Sequence, residues 1–122
     1  MSILALHHVQ LAMPKGQEDA ARAFFADLLG FKEIPKPANL AKRGGCWFQA
    51  GDVHVHLGVE SPFTPARKAH PALLVDNLTQ LEAKLKTAGC EIRPDEPLEG
   101  FTRTYVSDPF GNRIELMQEQ HS

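Results

Sequence analysis

The chain has 122 residues, with 13 Lys and Arg against 15 Asp and Glu for a net charge of −2, and it is 43% hydrophobic. That length suits one domain (residues 1–122) with a real core, and a balanced charge without a nucleic-acid-binding motif gives no footing for a nucleic-acid partner. The apolar runs fall far short of a bilayer span and no secretory leader pattern opens the chain. Two cysteines, Cys46 and Cys90, do not make a disulfide framework. Two buried thiols in a cytoplasmic protein are expected.

Ile3–Ala12 alternates and is rich in Leu, Val and Ile, which predicts a strand ended by Pro14 and Gly16. Asp19–Leu29 carries Ala21, Phe24, Phe25 and Leu28 at helical spacing, with Glu18 and Asp19 in the first turn and Gly30 as the stop. Phe31–Pro35 reads as a short strand and Lys36–Gly45 as a loop. Cys46–Ala50 and Val53–Val59 form two strands around a Gly51-Asp52 turn. Ser61–Lys68, with Pro62 and Pro65, links the halves. The order then repeats. Ala72–Val75 is a strand, and Asn77 caps a helix marked by Leu78, Leu81, Leu85 and Ala88 and ended by Gly89. Glu91–Arg93, Thr102–Val106 and Arg113–Gln118 are strands, and the last few residues are expected to fray. Each half therefore reads β-α-β-β-β, over about 1–60 and 69–119.

The repetition extends to residues with chemistry. His8 is echoed 62 residues later by His70, and His56 is echoed 59 residues later by Glu115. Gly30 and Gly89 are also 59 apart, so the first half should carry three extra residues before Gly30, expected near Lys15–Gln17. Two possible ligands per half suggest a metal site built on internal pseudo-symmetry. Three imidazoles and one carboxylate suit a borderline divalent ion such as Zn²⁺, Ni²⁺, Fe²⁺, Mn²⁺ or Co²⁺.

This order and these residues resemble the vicinal oxygen chelate superfamily, also called the glyoxalase/bleomycin-resistance/extradiol-dioxygenase superfamily. The strongest local match is Tyr105-Val-Ser-Asp108-Pro109-Phe-Gly111-Asn112-Arg113-Ile114-Glu115-Leu116. Members commonly carry an Asp-Pro-x-Gly-x-x-x-Glu pattern there, its Glu a metal ligand. Leu6-His7-His8-Val9, Val55-His56-Leu57 and Ala69-His70 match the first, fourth and fifth strands, each bearing a ligand. The resemblance covers essentially the whole chain. It implies an α+β fold of two tandem βαβββ modules with curved mixed sheets, in which one residue per strand points into a shared cup. It further implies one divalent transition metal per site, held by His8, His56, His70 and Glu115, that polarises the oxygens of a small substrate. In single-chain members two copies commonly complete each other's cups. A homodimer with shared sites is therefore expected, His8 and His56 coming from one chain and His70 and Glu115 from the other.

Each residue has a plainer reading beside it. His7 should point to the opposite face from His8. His54 shares a face with His56 and competes with it as ligand, although the register favours His56; otherwise it lines the pocket. His70, at a strand start before Pro71, would otherwise be half-exposed. Glu115, between Ile114 and Leu116, is an uncomfortable place for an unpaired charge unless its face is solvated. Tyr105 can face the cup with Glu115 and touch the substrate, or be a sheet-face aromatic. Trp47, Phe48 and Phe101 can line an apolar pocket or belong to the core, and Arg103 and Arg113 can hold an anionic substrate or be plain exposed strand arginines. Asp108-Pro109-Phe110-Gly111-Asn112 is expected to matter for turn geometry rather than chemistry. Glu115 is the candidate general base of a glyoxalase-type isomerisation, with Tyr105 as the other catalytic candidate. Glyoxalase I proteins often have Glu where His56 stands, which argues against lactoylglutathione lyase activity specifically. The alternatives are an extradiol-type dioxygenase, since two His and one carboxylate suffice for Fe²⁺, and a non-catalytic small-molecule binding or resistance protein. Fosfomycin-modifying thiol transferases rank below these, because Pro97–Thr104 lacks their Ser-, Gly- and Asp-rich loop.

Overall fold

The computed structural model describes residues 1–120. The chain forms two compact units, Met1–Thr64 and Pro65 onward. The first contains β1 (Val9–Met13), α1 (Glu18–Arg22, continuing as a π-helical turn Ala23–Leu28), β2 (Lys32–Ile34), α2 (Ala38–Ala41), β3 (Cys46–Ala50) and β4 (Val53–Val59). The second contains β5 (Ala72–Leu74), α3 (Leu78–Thr87), β6 (Ile92–Arg93), β7 (Phe101–Ser107) and β8 (Arg113–Glu119). The sheets are mixed and have the same order, β1-β4-β3-β2 and β5-β8-β7-β6, with the first pair of each parallel and the rest antiparallel. This is the expected α+β fold of two βαβββ modules. Among the described residues no helix is long and apolar enough to cross a membrane.

Strand alternation divides each sheet into a core face and a site face. In the first unit Leu11, Met13, Phe48, Val55 and Leu57 are buried on the core face together with Phe24 and Phe25 of α1. The Phe25 and Phe48 rings stack at 5.4 Å. In the second, Val106, Ile114 and Leu116 are buried, as are Leu78 and Leu85 of α3. Burying each such side chain contributes about 1.5–3 kcal/mol. Helix α3 is fixed at its start by Asn77 Oδ1, which accepts from Gln80 N, and by Gln118 Oε1 of β8, which accepts from Leu78 N.

The duplication is visible in the hydrogen bonding. Ala21 N donates to Gln17 O and Leu81 N to Asn77 O, so the two helix starts are 60 residues apart rather than 62. Two of the three extra residues therefore lie in the turn before α1, as expected. The third lies elsewhere. Leu29 N reaches back five residues to Phe24 O, where Ala88 N reaches back four to Lys84 O. The π-helical turn absorbs one residue, and Phe24 and Phe25 are both buried in it.

Some expectations need correction. β1 starts at Val9, not Ile3, and Ile3, Leu4 and Leu6 are exposed. Among the described residues its only ladder partner is β4, which starts at Val53 in register with the residue two before Val9, so the earlier apolar alternation has nothing there to pair with. The predicted loop 36–45 contains the one-turn helix α2 behind Pro37. Cys46 and Cys90 are free thiols, but only Cys46 is buried, and burial pushes its pKa up to about 11. The expected fraying falls partly on His121 and Ser122, outside the described residues, while Gln120 N still donates to Gly100 O.

Candidate functional site

On the site face of the first unit, β1 and β4 pair Gln10 with His56, and β3 and β4 pair Trp47 with His56. His56 is buried, 5% exposed, between two rings: His8 at 4.1 Å and Trp47 at 4.0 Å, both nearly parallel to it. Burial, reinforced by the neighbouring His8, His54 and His7, lowers its pKa to about 4. His56 is therefore a neutral imidazole near neutral pH, with a lone pair to offer.

His7 departs from expectation. It lies before β1, so strand alternation does not send it away from His8; the two Nδ1 atoms are 2.9 Å apart and His7 stacks on His54 at 6.0 Å. His54 thus belongs to a second ring pair, beside rather than within the His8–His56–Trp47 column. The His7 contact was legible only by knowing where the strand starts.

In the second unit β5 and β8 pair Ala72 with Glu115, and β7 and β8 pair Tyr105 with Glu115. His70 stands two residues before Ala72 just as His8 stands two before Gln10. The repeated pairs His8/His56 and His70/Glu115 thus occupy the same ladder positions. Tyr105 is the counterpart of Trp47, each opposite the second ligand candidate. The β7–β8 turn is one residue longer than the β3–β4 turn, which shifts that offset to 58 and hides the correspondence from a fixed-offset search.

Glu115 is 6% exposed and fully engaged. His70 Nε2 lies 3.0 Å from Oε1, and Arg103 Nη1 donates to Oε2 at 3.2 Å. His70 Nδ1 donates to Lys68 O at 2.9 Å. One proton therefore lies between His70 Nε2 and Glu115 Oε1, because neither atom can accept from the other without it. Arg103 also donates to Glu96 O at 2.7 Å and pairs with Asp95 Oδ2 at 3.4 Å. Its contact with Glu115 raises its pKa. Nη1 and Nη2 of Arg103 are thus committed to internal acceptors, while its Nε is buried without a hydrogen-bond partner among the described residues. Tyr105 OH donates to Asp95 Oδ2 at 2.9 Å, and this bond raises the phenol pKa. The Tyr105 ring meets His70 edge-on at 5.3 Å and carries the Arg113 guanidinium over it at 5.2 Å. Phe101 shares this face at the far end of β7, opposite Glu119.

The Asp108–Asn112 turn that starts β8 is built as expected from geometry. Asp108 Oδ1 accepts from the backbone N–H of Phe110 and Asn112, and Asp108 Oδ2 accepts from Asn112 Nδ2. Asn112 Oδ1 accepts from Ala66 N. Burial raises the Asp108 pKa against these bonds.

The sequence profile of the Glyoxalase/Bleomycin resistance protein/Dioxygenase superfamily matches residues 5–116. The chain belongs to this superfamily. A glyoxalase family protein from Bacillus anthracis is 47% identical, with a TM-score of 0.94 over 98% of both chains. The fosfomycin resistance protein FosX from Listeria monocytogenes shares the fold at 17% identity and a TM-score of 0.76, over 98% of this chain and 96% of that one. The antibiotic-binding protein TnmS3 from Streptomyces sp. CB03234 does so at 21% identity and a TM-score of 0.72, over 97% and 100%. No curated protein matches the sequence.

Superfamily members commonly bind a divalent metal. Among the described residues no three His, Cys, Asp or Glu side chains stand together to hold one; the candidates form two pairs. The donor chemistry nevertheless fits such an ion. His56 is held neutral, and the proton between His70 and Glu115 is the kind that a cation displaces on binding.

Proposed function

We propose that the chain is a divalent-metal-dependent enzyme of the glyoxalase type, an isomerase or lyase acting on a small substrate, with His8, His56, His70 and Glu115 as metal ligands. The observation that carries this reading is the repeated ladder position of the two pairs, which a chance scatter of three histidines and a glutamate would not reproduce. The ion, when bound, supplies Lewis-acid polarisation of substrate oxygens.

The chain's own residues support the rest of the chemistry. Glu115 is the candidate for moving a proton next to a carbonyl. Its second oxygen is steadied by Arg103, and its first already shares a proton with His70. Tyr105, with its pKa raised, keeps its proton and acts as a hydrogen-bonding group rather than a base. Trp47 and His54 give the first unit's site face an aromatic wall. A homodimer with shared sites fits this reading, since each pair needs further ligands, and exposed Ile3, Leu4, Leu6 and Leu74 offer apolar surface to a second copy.

Extradiol-type oxygen chemistry is the alternative enzyme reading, as two His and one carboxylate can hold Fe²⁺. A non-catalytic binding protein is favoured by Arg103, which occupies one Glu115 oxygen. The test is the metal content of freshly purified protein by plasma mass spectrometry, followed by aldehyde–thiol adducts, catechols and epoxides offered to stripped and reloaded protein. Zinc, nickel, manganese or cobalt with isomerase or lyase turnover only after reloading supports the proposal. Iron with oxygen uptake supports the dioxygenase, and bound metal with no turnover of any class supports the binding protein.

A further inference from the structure

The second unit carries a basic recess beside the candidate site. One hollow of about 370 Å³ is walled by Lys68, His70, Arg93, Tyr105 and Arg113 among others. A second, of about 280 Å³, is walled by Arg67, Arg93 and Arg113 among others. They share Arg93 and Arg113, so four permanent cations line one continuous surface that reaches His70 and Tyr105. Those two residues flank Glu115: His70 hydrogen-bonds it and Tyr105 is its cross-strand partner.

Little negative charge answers these cations. The acid that lines the larger hollow, Asp95, already accepts from Tyr105 and pairs with Arg103. Glu91 reaches Arg93 only at 4.0 Å, between exposed side chains, a contact of small worth. Among the described residues, Arg67, Lys68 and Arg113 have no acidic partner within ion-pair distance, and Arg113 Nε is buried without a hydrogen-bond partner. Like charges crowded around a hollow repel one another unless an anion joins them. Arginine forks suit oxyanions, and several cations suit more than one negative charge.

We propose that this recess binds a phosphate-type dianion, and that the substrate handled at Glu115 carries such a group. The anion site stands on the recess alone; its assignment to the substrate rests on the function proposed above.

The test is calorimetric titration of inorganic phosphate into the full chain at low ionic strength, with acetate as the singly charged comparison. Saturable phosphate binding is expected, tighter than acetate and weakened by added salt. Arg93→Gln and Arg113→Gln should each weaken it about tenfold, the effect of losing one close charge pair, while Arg43→Gln in the first unit should leave it unchanged. Arg93 is largely exposed, so its variant stands even if Arg113→Gln fails to fold. No saturable phosphate binding, equal acetate binding, or binding indifferent to Arg93→Gln would overturn the proposal. Metal content measured on the same samples separates the two readings. Metal-loaded protein that ignores phosphate defeats the anion site alone, whereas phosphate binding by protein that takes up no metal defeats the enzyme reading alone.

Discussion

Replacing Asp108 with Ala should be among the most damaging single changes outside the apolar core. The buried carboxylate accepts three hydrogen bonds within its turn, from Phe110 N, Asn112 N and Asn112 Nδ2, at 2.9, 2.8 and 2.8 Å. Asn112 is fully buried, so water cannot readily take over from Asp108 at its amide. Each bond to a charged acceptor is worth about 1.5–3 kcal/mol, and burial of the charge offsets part of the sum. A net cost of about 3–5 kcal/mol follows, a large share of the 5–15 kcal/mol typical of a domain. Because the turn leads directly into Arg113 and Glu115, binding at the site should weaken as well. Asp108→Asn keeps one acceptor oxygen for Phe110 N and Asn112 N but sets an NH2 against Asn112 Nδ2, so it should recover only part of the loss. Urea unfolding of metal-free protein, followed by far-ultraviolet circular dichroism, reads this as a lower midpoint at unchanged slope. An Asp108→Ala cost below about 1 kcal/mol would refute the reasoning, because it would mean that the three donors find water without penalty.

Two further outcomes follow from the first unit. His56 has a folded-state pKa of about 4 against an ordinary 6.5, so below pH 6.5 the unfolded chain takes up a proton that the folded chain refuses. Stability of metal-free protein should therefore hold near neutrality and fall as pH drops from 6.5 towards 4, by no more than about 3 kcal/mol from this group. His56→Leu should flatten that fall, and an unchanged pH profile in the variant would count against the burial argument. Gly45→Ala should cost about 3 kcal/mol or more in urea. Its φ of +83° is left-handed and an added Cβ would sit 2.0 Å from Leu57 O. A loss below about 1 kcal/mol would show that the start of β3 shifts freely.

Much of this architecture was legible because its signals are local. The Asn77 cap and the Gly51-Asp52 turn each reflect chemistry within a few residues, the 59-residue offset compares such local patterns between the halves, and the strands β3 and β4 were read with their observed limits. What escaped the sequence depends on partners distant along the chain. The false start of the first strand at Ile3 follows from the absence of a ladder partner among the described residues, which alternation cannot reveal. The third inserted residue sits inside α1, where apolar spacing tolerates a wider turn. At the candidate site, His8, His56, His70 and Glu115 could be picked by repetition, and the shared face of Tyr105 and Glu115 by counting along a hairpin. The commitment of Arg103 to Glu115 could not. Nothing in the residues around Arg103 distinguishes it from Arg113, which stacks on Tyr105 and has no acidic partner among the described residues.

The central claim is that both repeated pairs contribute to one metal site. Its most direct test is calorimetric titration of Zn²⁺ into chelator-stripped full chain, beside His8→Ala, His56→Ala, His70→Ala and Glu115→Ala. The account predicts about one ion per chain in the wild type, as one site per chain requires, and a loss of at least about tenfold in affinity in each of the four variants. No binding by the wild type, or binding that survives both His8→Ala and His56→Ala, would contradict it.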